Sequence, residues 1–138
     1  MSVRDALRRA PMVADVPALR LLRVGDGWDV LRTPADVGLP ALAHLRATGA
    51  EIGPVLYDGP NDRLYYAIGT GTADTWEGLP VRHLSSDTWL VAPSLEQIDD
   101  WFGGWYELPY DDTLTDADAL RAALRHPYVS ACVKKVYR

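Results

Sequence analysis

Residues 28–57 constrain the fold more than any other stretch. Trp28-Asp29-Val30-Leu31-Arg32 has strand character, Val55-Leu56-Tyr57 has it again, and the clearest helix signal in the chain lies between them. Thr33 suits an N-cap, Pro34 the first helical position and Asp36 the first turn. Leu39, Leu42 and Leu45, with Ala43 beside them, fall on one helical face, and Gly49 is suited to the position just past the helix end. A strand–helix–strand unit of about 30 residues has the length of a crossover connection. It predicts two strands that are parallel or near neighbours in one sheet.

The rest of the chain is organised in short pieces, because ten prolines and eleven glycines fall between its apolar runs. Ser2 and Asp5 resemble a capping box for a helix over residues 2–10, ended by Pro11. Residues 19–24 and 28–32, separated by the turn signal Gly25-Asp26-Gly27, are expected to pair as strands. Asp58-Gly59-Pro60-Asn61-Asp62 is a turn cluster, so Leu64–Ile68 should return as a hairpin with 54–58. Val81–Leu84 and Thr88–Ala92 have strand character, joined by Ser85-Ser86-Asp87. Ser94 with Gln97 predicts a helix through Phe102 stopped by Gly103-Gly104, and Thr115 with Asp118 a last helix before Pro127. Tyr128–Tyr137 suggests a final strand. The expected fold is α+β, a mostly antiparallel sheet with one β-α-β crossover and helices packed on one face. With 138 residues the chain fits one domain. Its expected parts are the N-terminal helix, a core over about 18–95 and a C-terminal extension over 95–138.

Charge and cysteine content narrow the function classes. Residues 1–23 carry five Arg against two Asp, residues 24–120 four Arg against seventeen acids, and residues 121–138 five basic residues and no acid. An acidic body disfavours a nucleic-acid backbone, and only the two basic ends could supply the footprint such a ligand needs, where charged termini are equally the norm of a solvated surface. Cys132 is the one cysteine, which excludes an internal disulfide and points to a reducing, cytoplasmic setting. No apolar run approaches the ~20 residues of a membrane span.

No complete catalytic or cofactor motif is present. Gly69-Thr70-Gly71-Thr72 lacks the Lys-Ser/Thr of a phosphate loop and the third glycine of a dinucleotide fingerprint, so no cofactor is expected. Asp58, Asp62 and His83 offer two carboxylates and an imidazole, a set that binds a divalent cation or shares proton transfer when brought together. Equally, Asp58 and Asp62 flank a turn, where Asp is favoured for its own backbone hydrogen bonds. Trp101, Phe102, Trp105 and Tyr106 crowd one stretch and either close an edge of the core or form a surface for a protein partner or a second copy.

One resemblance sharpens the expectation. The sequence Ile52-Gly53-Pro54-Val55-Leu56-Tyr57-Asp58, then Arg63-Leu64-Tyr65-Tyr66-Ala67-Ile68, Leu79-Pro80-Val81-Arg82-His83 and Thr88-Trp89-Leu90-Val91-Ala92-Pro93-Ser94 resembles the bifunctional DNA primase/polymerase (prim-pol) family, most nearly its short actinobacterial type, over roughly residues 24–95. The resemblance implies a palm similar to an RNA-recognition-motif fold. It also implies a carboxylate pair for metal ions at the end of the first strand and a His for the incoming triphosphate. Here that strand ends Leu31-Arg32-Thr33-Pro34, and Arg63 stands at the His position. Two-metal phosphoryl transfer needs the carboxylates, so the expectation is a non-catalytic, palm-like regulatory or interaction domain. Its binding face would be the open side of the sheet, around Arg63, Tyr65, Arg82 and Trp89, taking a nucleotide, a single strand or a protein. A metal-dependent enzyme using Asp58, Asp62 and His83, and a structural subunit associating through Trp101–Tyr106, are the alternatives.

Overall fold

A computed structural model describes residues 2–13, 16–95 and 103–126. The elements run α1 (Val3–Arg9), β1 (Met12–Val13), β2 (Val16–Val24), β3 (Asp29–Pro34), α2 (Ala35–Thr48), β4 (Val55–Asp58), β5 (Arg63–Ile68), a 3-10 turn (Ala73–Trp76), β6 (Arg82–Leu84), β7 (Thr88–Pro93), β8 (Gly103–Glu107) and α3 (Ala117–Leu124). The strands form two sheets, ordered β6-β3-β5-β4-β8 and β1-β2-β7. Every named pairing is antiparallel. The fold class is α+β, as the sequence indicates.

The crossover is present as a split unit. β3 and β4 both pair antiparallel with β5, which lies between them, so they run parallel to each other. The hairpin of β4 and β5 forms as expected, with Asp58 opposite Arg63 and Val55 opposite Tyr66. Helices α2 and α3 cover one face of this sheet, where Leu31, Val55, Leu64, Tyr66 and Ile68 pack with Leu42, Leu45, Leu120 and Leu124. The Tyr66 hydroxyl donates to the Gly38 carbonyl at 2.6 Å, tying sheet to helix. Burial raises the pKa of that phenol well above its ordinary value.

The opposite face is not open along its whole length. Val30, Leu56, Tyr65 and Ala67 point there and pack with Leu22, Val24, Leu90 and Ala92 of the small sheet and Val3 and Leu7 of α1. β3 and β5 therefore contribute buried residues to both cores, which explains the continuous apolar run Leu64–Ile68 of β5. It also corrects two expectations. The helices do not all sit on one face, because α1 joins the second core. And β2 does not pair with β3: both edges of β3 are taken by β5 and β6. The turn closed by Gly25 N–H to the Trp28 carbonyl at 2.9 Å instead sends β2 into the small sheet, where it pairs with β7 from Leu19–Pro93 to Val24–Thr88.

Several end signals resolve differently from the sequence expectation. Thr33 is not the α2 cap: it stays in β3 opposite Leu64, and the helix begins after Pro34 with Ala35 N–H donating to the Asp62 carbonyl at 3.0 Å. Leu39 is 39% exposed, so the buried face of α2 runs through Ala35, Gly38, Ala41, Leu42 and Leu45 instead. Gly49 closes the helix in the left-handed region at φ 70°, as expected. Ser2 caps α1, its hydroxyl accepting from Asp5 N–H at 3.1 Å. Asp116, not Thr115, caps α3 through Asp118 N–H and Ala119 N–H. Gly103-Gly104 opens strand β8 against β4. Most of the helix expected over 94–102, the strand expected over 128–137, and Trp101, Phe102 and Cys132 lie outside the described residues. No helix among the described residues is long and apolar enough to cross a membrane.

Candidate functional site

Strand alternation decides which side chains meet. Along β3, Val30 and Arg32 share the face turned away from α2 and α3. Val30 sits in the second core, and Arg32 lies further along, where β3 approaches Pro34. Arg32 is opposite Arg82 on β6 and opposite Tyr65 on β5. Arg63 shares the Tyr65 face two residues earlier and stands opposite Pro34 and Asp58. Three adjacent strands thus deliver Arg82, Arg32 and Arg63 to one end of one face.

These arginines line a cleft of about 380 Å³, with Thr33, Pro34, Asn61 and Asp62 on one side and Leu79, Pro80 and Val81 on the other. Arg82 is exposed, and Arg32 and Arg63 are half-buried. None of the three forms an ion pair among the described residues. Burial, then the nearby Arg63 charge, then Arg82, pull the Arg32 pKa down, against an opposing effect of Tyr65. The cleft is therefore a concentration of like charge. Of the four basic residues in the acidic stretch 24–120, three are here.

A buried carboxylate supports the floor. Asp58, 5% exposed, accepts from Asn61 N–H at 3.3 Å, Asn61 Nδ2 at 2.8 Å and the Tyr65 hydroxyl at 3.3 Å. Burial raises the Tyr65 pKa, and its hydrogen bond with Arg63 acts in the opposite direction. Asp58 thus fixes the Asn61 turn and Tyr65, and Tyr65 lies on the same strand face as Arg63.

Of the residues singled out in the sequence, Arg63, Tyr65 and Arg82 do come together. Trp89 does not: it is on β7 in the small sheet, 51% exposed, with the Arg23 guanidinium 6.0 Å from its ring centre. Arg32 was the residue missed. Its signal was position, an arginine at the end of a strand whose neighbours also end in arginine.

Asp58, Asp62 and His83 are not one site. His83 pairs with Leu31, so it faces α2 and α3, and its Nε2 lies 2.8 Å from Asp29 Oδ2. Asp58 faces the other side, and β3 and β5 lie between their strands. The Asp62 carboxylate accepts from the Tyr57 hydroxyl at 3.2 Å. Among the described residues, no three carboxylate, imidazole or thiol groups gather where a metal ion could be held. The Trp101–Tyr106 stretch divides as well. Trp105 is half-buried against the second core and donates from its indole N–H to the Pro93 carbonyl at 3.0 Å. Tyr106 is 43% exposed and stacks on Tyr57 at 5.6 Å.

Comparison of the chain with protein-family models, with curated proteins and with solved structures finds no match in any of the three.

Proposed function

We propose that this chain is a non-catalytic, palm-like binding domain whose ligand is a compact phosphorylated molecule of about nucleotide size, held by Arg32, Arg63 and Arg82. One observation carries the reading: three guanidinium groups from adjacent strands line one cleft without an ion-pair partner among the described residues. Guanidinium forks match phosphate oxygens in geometry and charge. A volume of about 380 Å³ lies in the range of small-molecule sites. The Leu79-Pro80-Val81 wall suits an uncharged ring or chain, and Asn61 and Asp62 suit hydroxyl groups. The acidic remainder of residues 24–120 repels an extended polyanion, which favours a small ligand over a duplex.

The non-catalytic half of the proposal rests on the strand end Leu31-Arg32-Thr33-Pro34, which has no carboxylate to hold magnesium. By the prim-pol resemblance, Arg63 stands where that family contacts a triphosphate, and an arginine keeps the anion contact without supplying a metal site. Isothermal titration at low ionic strength with adenosine phosphates and short oligothymidylates tests both halves. The expected result is nucleotide binding weakened at least about tenfold in Arg63→Ala and in Arg82→Ala, with no template-dependent incorporation when magnesium and deoxynucleotides are added. Binding to none of these phosphates would remove the ligand, and incorporation would remove the non-catalytic reading.

A further inference from the structure

A second concavity, sharing no lining residue with the arginine cleft, lies where α1 meets the small sheet. It measures about 250 Å³, with Ala10, Leu22 and Trp28 in its apolar lining, Trp89 as one wall and Arg9 and Arg23 at its margin. Leu22 and Trp28 are buried, whereas Trp89 is half-exposed, and Val91 on the same strand face is 36% exposed. Arg9 and Arg23 are exposed and form no ion pair among the described residues. The Arg23 guanidinium lies 6.0 Å from the Trp89 ring centre, which leaves its outer N–H groups able to meet an incoming carboxylate.

We infer that this groove docks an acidic peptide segment of a partner protein, inserting one apolar or aromatic side chain between Ala10 and Trp89 while its carboxylates meet Arg9 and Arg23. Charge complementarity names the occupant. Residues 1–23 hold five Arg against two Asp in a chain that is acidic through 24–120, and two of the five, Arg9 and Arg23, line the groove with Trp89. A half-exposed Trp with two exposed arginines in one concavity has the composition of an interface anchor point. A nucleic acid fits less well, because the groove is short and offers two margin cations with Asp26 also lining it, whereas strand binding needs a basic track along several phosphates.

The inference does not depend on the arginine cleft, and its test separates the two. The probe is a fluorescein-labelled twelve-residue peptide of Asp and Glu with a single central Trp. Its controls are the same peptide with Asn and Gln, the same with Lys, and an oligothymidylate of similar length, all followed by anisotropy. The acidic peptide should bind, at least about tenfold more tightly than the Asn/Gln version, and Trp89→Ala should weaken it about tenfold or more. The double variant Arg9→Glu/Arg23→Glu should reject the acidic peptide and prefer the Lys version, while Arg63→Ala should leave acidic-peptide binding unchanged. These groove side chains are exposed, and an unchanged circular-dichroism spectrum certifies each variant as folded. Equal binding of acidic and neutral peptides, no binding of either at millimolar concentration, tighter binding of the oligothymidylate that is lost in Trp89→Ala, or indifference of the acidic peptide to Trp89→Ala would each overturn the inference.

Discussion

Arg32 on β3 and Arg82 on β6 stand directly opposite each other across an antiparallel pair, two like charges in one cross-strand register. Such pairs destabilise a sheet by a few tenths of a kcal/mol up to ~1 kcal/mol. Burial and the neighbouring arginines lower the Arg32 pKa, meaning that its charged form is disfavoured in the folded chain. Because a guanidinium stays protonated far above neutral pH, this cost is present throughout the working range, and a bound anion would relieve it.

The first prediction follows from that cost. Arg32→Gln should leave the melting temperature unchanged or raise it, by an amount equivalent to up to ~1 kcal/mol. Pyrophosphate should raise the melting temperature of the native chain and fail to do so in the variant. Differential scanning fluorimetry reads both, and a variant clearly less stable than the native chain would show that Arg32 is held by favourable contacts instead.

Tyr65 donates to the buried Asp58 carboxylate, and Arg63 is close enough to bear on its phenol. Tyr65→Phe removes the hydroxyl that donates to Asp58 and should cost about 1–2 kcal/mol in urea unfolding, seen as a lower midpoint at unchanged slope. Affinity for adenosine phosphates should fall as well, though less than in Arg63→Ala. Loss of stability with unaltered affinity would place Tyr65 in the core alone.

Gly53 lies against the segment entering α3. Its N–H donates to Thr115 Oγ1 at 3.0 Å, and a Cβ there would meet the Leu114 Cα at 2.6 Å. Gly53→Ala should destabilise by about 1–3 kcal/mol through overpacking against backbone. Thr115→Val should cost about 1–3 kcal/mol by leaving a buried N–H unpaired. The double variant should lose less than the sum, because both changes break one contact. Strict additivity in denaturant titrations would contradict the shared contact.

The Ser2 hydroxyl is hydrogen-bonded to the Asp5 carboxylate as well as to its N–H, and that bond, ahead of Arg8 and Arg9, lowers the Asp5 pKa from 3.8. A carboxylate with a depressed folded-state pKa stabilises the fold above its unfolded value and loses that contribution as pH falls through the folded value. Ser2→Ala should cost about 1 kcal/mol at neutral pH through loss of the cap and should flatten the stability decline on the acid side of pH 4. Parallel stability–pH curves for the two proteins would remove Asp5 from that decline.

Much of the fold was legible because it is set by short-range patterning. The Leu64–Ile68 hairpin, the Ser2 cap, the Gly49 stop and the crossover around α2 all follow from turn chemistry and apolar spacing within about 30 residues. The split into two sheets was not legible. β2 and β3 are separated by a hairpin-like turn, and their separation arises from β5 and β6 occupying both edges of β3, a long-range competition that no local pattern carries. Thr33 illustrates the same limit, since a good N-cap residue was held in the strand by its pairing with Leu64. At the candidate site, Arg63, Tyr65 and Arg82 followed from alternation on one sheet face. Trp89 failed because it belongs to the other sheet, and the trio Asp58, Asp62 and His83 failed because a strand's two faces separate residues that sequence turns seem to gather.

The most direct test of the central claim reads the three guanidinium groups themselves. In ¹H–¹⁵N spectra of the native chain, stepwise addition of pyrophosphate should shift the Nε–Hε signals of Arg32, Arg63 and Arg82 along one saturable curve, with Arg46 unmoved. Three signals that stay in place, or that drift with salt alone in the same way as Arg46, would contradict an anion-binding cleft.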